Sequence, residues 1–190
     1  MSGRAKGLLF GHLETFAKRA TGASSYAATI AALPPGDQEV LSGMLLAVGW
    51  YPVGTWNRVL EAYLRMHHRD PARGMDEFAS YLGERELTGL VKFVLKMGSP
   101  EFMIGRTNFL WGRYFDHGTF GSEQIEPKHF RMWLDAPTNP ELAPSRYNCA
   151  QGVGPWLTRG LVLAGCASGR VDHVKCRFEG GTRCEYRATW

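Results

Sequence analysis

The stretch GVGPWLTRGLVLAGCASGRVDHVKCRFEGGTRCEYRATW, residues 152–190, decides the fold, because it joins a glycine-bounded apolar helix to two alternating runs. Pro155 suits a first helical turn, and Trp156, Gly160, Leu163 and Ala167 fall along one stripe, which predicts a helix over 155–168. Gly165 and Gly169 weaken and end it. Val171 to Phe178 then alternates, with Val174, Cys176 and Phe178 on one face and His173, Lys175 and Arg177 on the other. Past Gly180-Gly181, a turn signal, Cys184, Tyr186, Ala188 and Trp190 form a second apolar face opposed by Arg183, Glu185, Arg187 and Thr189.

Parity sets the expected register. A loop of Gly180 and Gly181 alone would put Phe178 opposite Arg183 and mix the two faces. A three-residue loop, Gly180 to Thr182, pairs Phe178 with Cys184, Cys176 with Tyr186 and Val174 with Ala188, giving one apolar surface for the Trp156 helix to cover. Cys176 and Cys184 are then diagonal neighbours, roughly 7 Å apart or more and poorly placed for a disulfide.

The chain of 190 residues is long enough for one sizeable core, and 44% hydrophobic with 21% charged residues is the balance of an ordinary globular protein, so a single domain over 1–190 is expected. The longest apolar stretches fall far short of a bilayer span, and residues 1–10 lack the apolar region and cleavage site of a secretory signal, so a cytoplasmic protein is expected. Four cysteines, Cys149, Cys166, Cys176 and Cys184, do not make a disulfide scaffold at this size. The net charge of +4 carries no basic block, and nucleic acid is not an expected partner.

Upstream, Lys6 to Ala20 reads as a helix with Leu9, Leu13, Phe16, Ala17 and Ala20 on one face, ended by Thr21-Gly22. A short helix capped by Ser24 or Ser25 follows and stops at Pro34-Pro35; residues 36–47 add a helical turn or two. Val48 to Val53 is an extended entry to a helix capped by Thr55, carrying Trp56, Val59, Leu60, Tyr63 and Leu64 and running out near Asp70-Pro71. Two helical patterns stand in tandem over 76–97, the second with Leu87, Leu90, Val91, Val94 and Leu95. Ser99-Pro100-Glu101 starts another helix, expected to reach Phe115 with Phe102, Phe109, Leu110, Trp111 and Tyr114. Phe120 to Ile125 and His129 to Leu134 look extended, the latter with Phe130, Met132 and Leu134 facing one way. Residues 136–144, with three prolines, read as a loop. The order predicts an α+β fold: N-terminal helices packed on an antiparallel sheet formed mainly by the C-terminal half, ending in a β-hairpin.

At both ends the sequence resembles known domains. Lys6 to Phe10, leading into a Phe16-containing helix and Gly22, resembles the opening of heme-NO-binding domains. Cys176 to Tyr186 resembles the closing hairpin of 4-vinyl-reductase-like small-molecule-binding domains. Between them Trp50-Tyr51-Pro52, Leu60-Glu61-Ala62, Leu110-Trp111, Tyr114-Phe115 and Trp190 look most like a myxobacterial paralogous family of proteins of this length. The resemblance covers nearly the whole chain and rests on the order of motifs. It implies a fold related to a subunit of the vesicle-tethering TRAPP complex, an apolar cavity or tunnel, and dimerisation. In heme-NO-binding domains a histidine on the helix corresponding roughly to 99–115 holds the iron. Here that stretch has Arg106, Asn108 and Arg113 and no histidine, the Tyr-x-Ser-x-Arg propionate clamp is missing, and His117 is the nearby candidate that remains. No heme or other cofactor is expected.

Catalytic motifs are also missing: there is no G-x-S-x-G elbow, Walker loop or G-x-G-x-x-G after a strand, so no catalytic residue is expected. Cys166, His173, Cys176 and Cys184 have the chemistry of zinc ligands, but strand parity puts His173 on the face opposite Cys176 and Cys184. A shared tetrahedron would need a bulge, and no metal is expected. What stands out is the aromatic content, six Trp, seven Tyr and ten Phe. Trp56, Tyr63, Phe102, Phe109, Trp111, Trp156 and Phe178 are candidates for the lining of a cavity, with Arg106 and Arg113, seven apart on one helix face, as anchors for an anionic head group. The expected function is a non-enzymatic sensory or regulatory domain that binds a small apolar or amphipathic molecule, or a peptide, between helices and sheet. The alternative is an interaction or scaffold protein whose apolar surface serves a homodimer or protein partner.

Overall fold

The computed structural model describes residues 2–87 and 99–190. Strand β1 (Arg4–Lys6) leads into helices α1 (Gly7–Ala20), α2 (Ser25–Ala31) and α3 (Pro35–Ser42); strand β2 (Trp50–Pro52) leads into α4 (Val53–His67) and α5 (Pro71–Glu86). Next come two short helices, α6 (Pro100–Gly105) and α7 (Thr107–Gly112), then strands β3 (Thr119–Glu126) and β4 (His129–Asp135). A π-helical turn at Asn148–Gly152 opens α8 (Val153–Leu163), and strand β5 (Arg170–Lys175), a 3-10 turn at Arg177–Glu179 and strand β6 (Cys184–Thr189) complete the described chain. The expected α+β architecture is present: helices on a four-stranded antiparallel sheet of order β3-β4-β6-β5, with the β5–β6 hairpin last. No helix among the described residues is long and apolar enough to cross a membrane.

The helices form where apolar spacing and end signals agree. On α1, Leu9, Phe10, Leu13, Phe16 and Ala17 are buried, and the helix ends at Thr21 before Gly22, whose φ of 106° suits glycine. Asp70 caps α5 by accepting from the Ala72 and Arg73 amides at 3.0 and 3.3 Å, with Pro71 in the first turn. Ser99 caps α6 in the same way, accepting from Phe102 N at 3.3 Å. In the core Phe10 meets Trp56 edge-on at 5.4 Å between ring centroids, and Phe78 packs on both Phe16 and Trp56. The alternation in β4 holds, with Phe130, Met132 and Leu134 buried.

Several expectations are corrected. Thr55 does not cap α4, which begins two residues earlier; its hydroxyl instead donates to Asp37 Oδ1 at 2.6 Å. Neither Ser24 nor Ser25 caps α2, the Ser25 hydroxyl donating to the Gly22 carbonyl. Helix α4 stops at His67, short of Asp70. The single helix expected over 99–115 is broken at Arg106 (φ −99°, ψ 6°), where the Thr107 hydroxyl donates back to the Ile104 carbonyl at 2.6 Å and competes with the helical ladder. Arg106 and Arg113 therefore do not share one helix face. Helix α8 spans 153–163 rather than 155–168, Gly165 at φ 98° standing beyond its end. The second tandem helix, expected over 87–97, falls largely outside the described residues.

The largest correction concerns the hairpin. Val171 pairs with Ala188 and His173 with Tyr186, after which the register shifts between His173 and Lys175. That bulge leaves Val174 half exposed instead of inward. Cys176 and Phe178 leave the ladder for a turn closed by Gly181 N donating to the Cys176 carbonyl at 3.1 Å, and Gly180 at φ 82° supplies the left-handed residue. The pairings Phe178–Cys184, Cys176–Tyr186 and Val174–Ala188 do not form, and Cys184 sits opposite Leu134 of β4. Cys176, Cys184 and Tyr186 still point inward, whereas Phe178 is half-buried beneath Arg177. Helix α8 packs between α5 and β5, and it approaches β5 so closely at Gly154 that a Cβ there would lie 2.8 Å from the Val171 carbonyl oxygen.

Candidate metal centre and interior cavity

Three irregularities bring four metal-type donors together. The π-helical turn holds Cys149 against the sheet, the bulge after His173 lets that residue and Cys176 serve the same side, and β6 begins with Cys184 facing inward. One ligand atom from each of Cys149, His173, Cys176 and Cys184 lies within 4.8 Å of all the others. The three cysteines are buried and His173 is half-buried; all three cysteines are free thiols. Thus the bulge that parity reasoning required for a shared tetrahedron is there, and Cys149 takes the place considered for Cys166.

The surroundings suit a bound cation. His173 Nε2 is buried without a hydrogen bond of ordinary geometry among the described residues, while its ring lies 5.0 Å from that of Tyr186. The Tyr186 hydroxyl donates to the Cys149 carbonyl at 3.0 Å and so fixes the turn. Arg177, only 4% exposed, donates from its backbone N (3.5 Å) and Nη1 (3.4 Å) to Cys184 Sγ, and from Nη2 to the Pro144 carbonyl at 2.7 Å. The neighbouring Cys149 and His173 side chains and the Arg177 backbone N–H and guanidinium draw the Cys184 thiol below its usual value, against the opposing effect of burial. Its closeness to Cys184 and its burial push the Cys149 thiol up, and its Sγ donates to the Arg146 carbonyl at 3.3 Å. The cluster thus sets a thiol drawn toward its ionised form beside a buried guanidinium.

A second feature lies between the helices and the sheet, a cavity of about 70 Å³. Trp56, Phe78, Trp111, Tyr114, Phe120 and Trp156 supply its aromatic walls, and Asn148 and Gly152 of the π-helical turn close one side. Among the described residues no charged side chain, histidine or cysteine lines it. Of the nine residues singled out from the sequence, Trp56, Trp111 and Trp156 line this space. Tyr63 is fully buried elsewhere, against Phe16 and His67; Phe102 and Phe109 are exposed. Arg106 stacks over Phe102, Arg113 reaches Glu86 at 3.7 Å, and Phe178 lies under Arg177. Phe78, Met75 and Ala79 on α5 escaped notice because apolar residues at helical spacing read as ordinary core.

No protein-family model and no curated protein sequence matches the chain. Solved structures do. An H-NOX protein from S. oneidensis in the Fe(II) ligation state superposes with a TM-score of 0.67 at 12% identity, over 97% of this chain and 95% of that one. The Fe(II) unliganded H-NOX protein from K. algicida gives 0.66 at 13% identity, over 97% and 95%. The IWP-051-bound H-NOX from Shewanella woodyi in the Fe(II)CO state gives 0.62 at 12%, over 96% and 93%. At these identities the likeness is one of fold: the chain has the H-NOX-like α+β architecture.

Proposed function

We propose that this chain is a non-enzymatic sensory or regulatory domain that takes a small apolar or amphipathic molecule, or a peptide, into the space between its helices and its sheet. The cavity walled by Trp56, Trp111 and Trp156 is the observation that carries this reading. Similarity in fold to H-NOX proteins solved in the Fe(II) and Fe(II)CO ligation states supports ligand sensing as the class of activity. The residues here do not fit heme itself. A space of about 70 Å³ is far too small for a porphyrin, and among the described residues its wall offers no imidazole or thiolate for an iron. His117, the remaining candidate, is outside the lining and bonded through Nδ1 to Asp116 at 2.7 Å. Native mass spectrometry of protein purified from its own host tests the proposal. A co-purified small mass is expected; an empty protein whose interior excludes every apolar probe would refute it. Light scattering separates the alternative of an interaction protein, for which a dimer without any ligand is the outcome.

The converging donors favour a second reading, that the C-terminal sheet also carries a tetrahedral divalent metal of the zinc class on Cys149, His173, Cys176 and Cys184. Tetrahedral donors at zinc stand about 3.3–3.8 Å apart, so the present spacing within 4.8 Å needs closure by about 1 Å. Three thiolates and a dication leave one negative charge, which the Arg177 guanidinium balances. Four protein donors complete the shell, as in structural rather than catalytic sites. Cobalt titration of the reduced protein should give one equivalent with the visible bands of tetrahedral thiolate coordination. Absence of those bands, or their survival in Cys176→Ser with Cys184→Ser, would exclude it.

A further inference from the structure

Away from the cavity and the sulfur cluster, the loop between α3 and β2 presents aliphatic side chains to water. Met44, Leu46 and Val48 are 86%, 55% and 77% exposed, whereas Leu45 among them packs against the core. Between Glu39 and Arg58 the sequence carries no charged residue, so no ionic side chain of this stretch opposes its transfer into an apolar medium. The loop is firmly seated. Leu46 N donates to the Tyr51 hydroxyl at 2.8 Å, and that hydroxyl donates to the Met44 carbonyl at 3.4 Å. Leu8 N and Gly7 N donate to the Ala47 and Gly49 carbonyls, each at 3.0 Å, and Gly49 N to the Leu46 carbonyl at 2.8 Å. A Cβ on Gly7 would stand 2.1 Å from the Leu46 carbonyl oxygen, so the loop lies tight against the start of α1. Aliphatic side chains are thus raised on a backbone several of whose polar groups are already engaged within the protein, as contact with hydrocarbon demands.

An indole and two cations stand at the base of the loop. Lys6 Nζ lies 4.1 Å and Arg4 Cζ 5.7 Å from the centre of the half-buried Trp50 ring. Arg4 is bridged to Asp116 at 2.6 Å, so Lys6 is the cation assigned to an anionic partner. An amphipathic ring flanked by cations beneath an aliphatic tip suits a membrane–water interface. Three aliphatic side chains fall well short of the ~800 Å² per partner that a stable protein interface buries, whereas a few inserted side chains with a cation beside them give reversible membrane binding. We infer that the 43–49 loop docks this domain on an anionic lipid bilayer, with Met44, Leu46 and Val48 entering the acyl region and Lys6, beside Trp50, meeting the headgroup phosphates.

Flotation of the full chain with lipid vesicles tests this. Vesicles of phosphatidylcholine and phosphatidylglycerol in equal parts should carry the protein upward, and vesicles of phosphatidylcholine alone should carry about fivefold less. Met44→Ser combined with Val48→Ser should lower partitioning about tenfold or more with an unchanged thermal melt, because both side chains already stand in water. Lys6→Gln should remove most of the preference for phosphatidylglycerol, and Lys6→Arg should keep it. Equal flotation of the parent and the Met44→Ser, Val48→Ser protein would overturn the role of the loop, and an unchanged lipid preference in Lys6→Gln that of the cation. If the parent does not float and light scattering shows a dimer that the double variant loses, the patch joins two copies of the chain and the lipid surface is refuted. A monomer that does not float refutes it as well.

Discussion

Replacing Cys184 by serine separates what the cluster contributes as a packed thiol from what it contributes as a ligand set. Cys184 is fully buried, and its sulfur accepts from Arg177 N and Nη1. Without metal, serine keeps a polar acceptor but leaves a small gap and a looser partner for the guanidinium, a loss of about 1–3 kcal/mol. With free zinc about a thousandfold above its dissociation constant, binding adds about 4 kcal/mol to the parent protein and little to a variant with three donors. For a chain of this length that increment is a further fall of about 8–16 °C in Tm. Urea unfolding and thermal melts, each run in chelator and in buffered zinc, give the two losses. If Cys184→Ser costs the same in both conditions, the tetrad is a packing cluster and the metal reading fails.

Other consequences are simpler to score. Gly154→Ala should destabilise by about 1–2 kcal/mol in urea unfolding despite alanine's better helix propensity, because its Cβ would press on the Val171 carbonyl 2.8 Å away; a neutral result would mean that α8 and β5 slide apart freely. Asp70→Ala removes the acceptor for two amides at the start of α5 and should cost about 0.5–2 kcal/mol, with Asp70→Asn keeping most of it. Burial alone would raise the Asp37 carboxyl, but hydrogen bonds from Arg58 and Thr55 and the charge of Arg58 hold it below 3.8. Its contribution is therefore complete above the unfolded value near 3.8 and drains away as pH falls toward the depressed folded one, so Asp37→Asn should flatten the stability–pH curve below about pH 4.

Regular segments were legible in the sequence, because period alone places their side chains: Phe130, Met132 and Leu134 face inward as alternation requires, and Leu9, Leu13 and Phe16 as helical spacing requires. The fold class followed from the order of such segments. What period could not supply were the places where it changes by one residue. Alternation through Val171–Phe178 holds only while the ladder is unbroken, and the shift after His173 reverses the faces of everything beyond it. Cys149 was overlooked for a related reason, since the residues before Pro155 carry no helical start signal and the π-helical turn has no apolar signature of its own. The Trp56, Trp111 and Trp156 walls could be named because tryptophan is conspicuous. Met75 and Ala79 could not, as nothing local distinguishes a side chain that borders a void from one that fills it.

The π-helical turn belongs to the void and to the sulfur cluster alike. Asn148 and Gly152 border the void while Cys149, between them, carries a sulfur of the tetrad and a carbonyl held by Tyr186. Five residues wound into one wide coil cannot shift at one end independently of the other. Tightening the sulfurs around an ion would restrain the wall bearing Asn148, and wedging that wall outward would strain the Tyr186 tether, so occupancy of either place would carry a free-energy cost or gain at the other, equal in both directions.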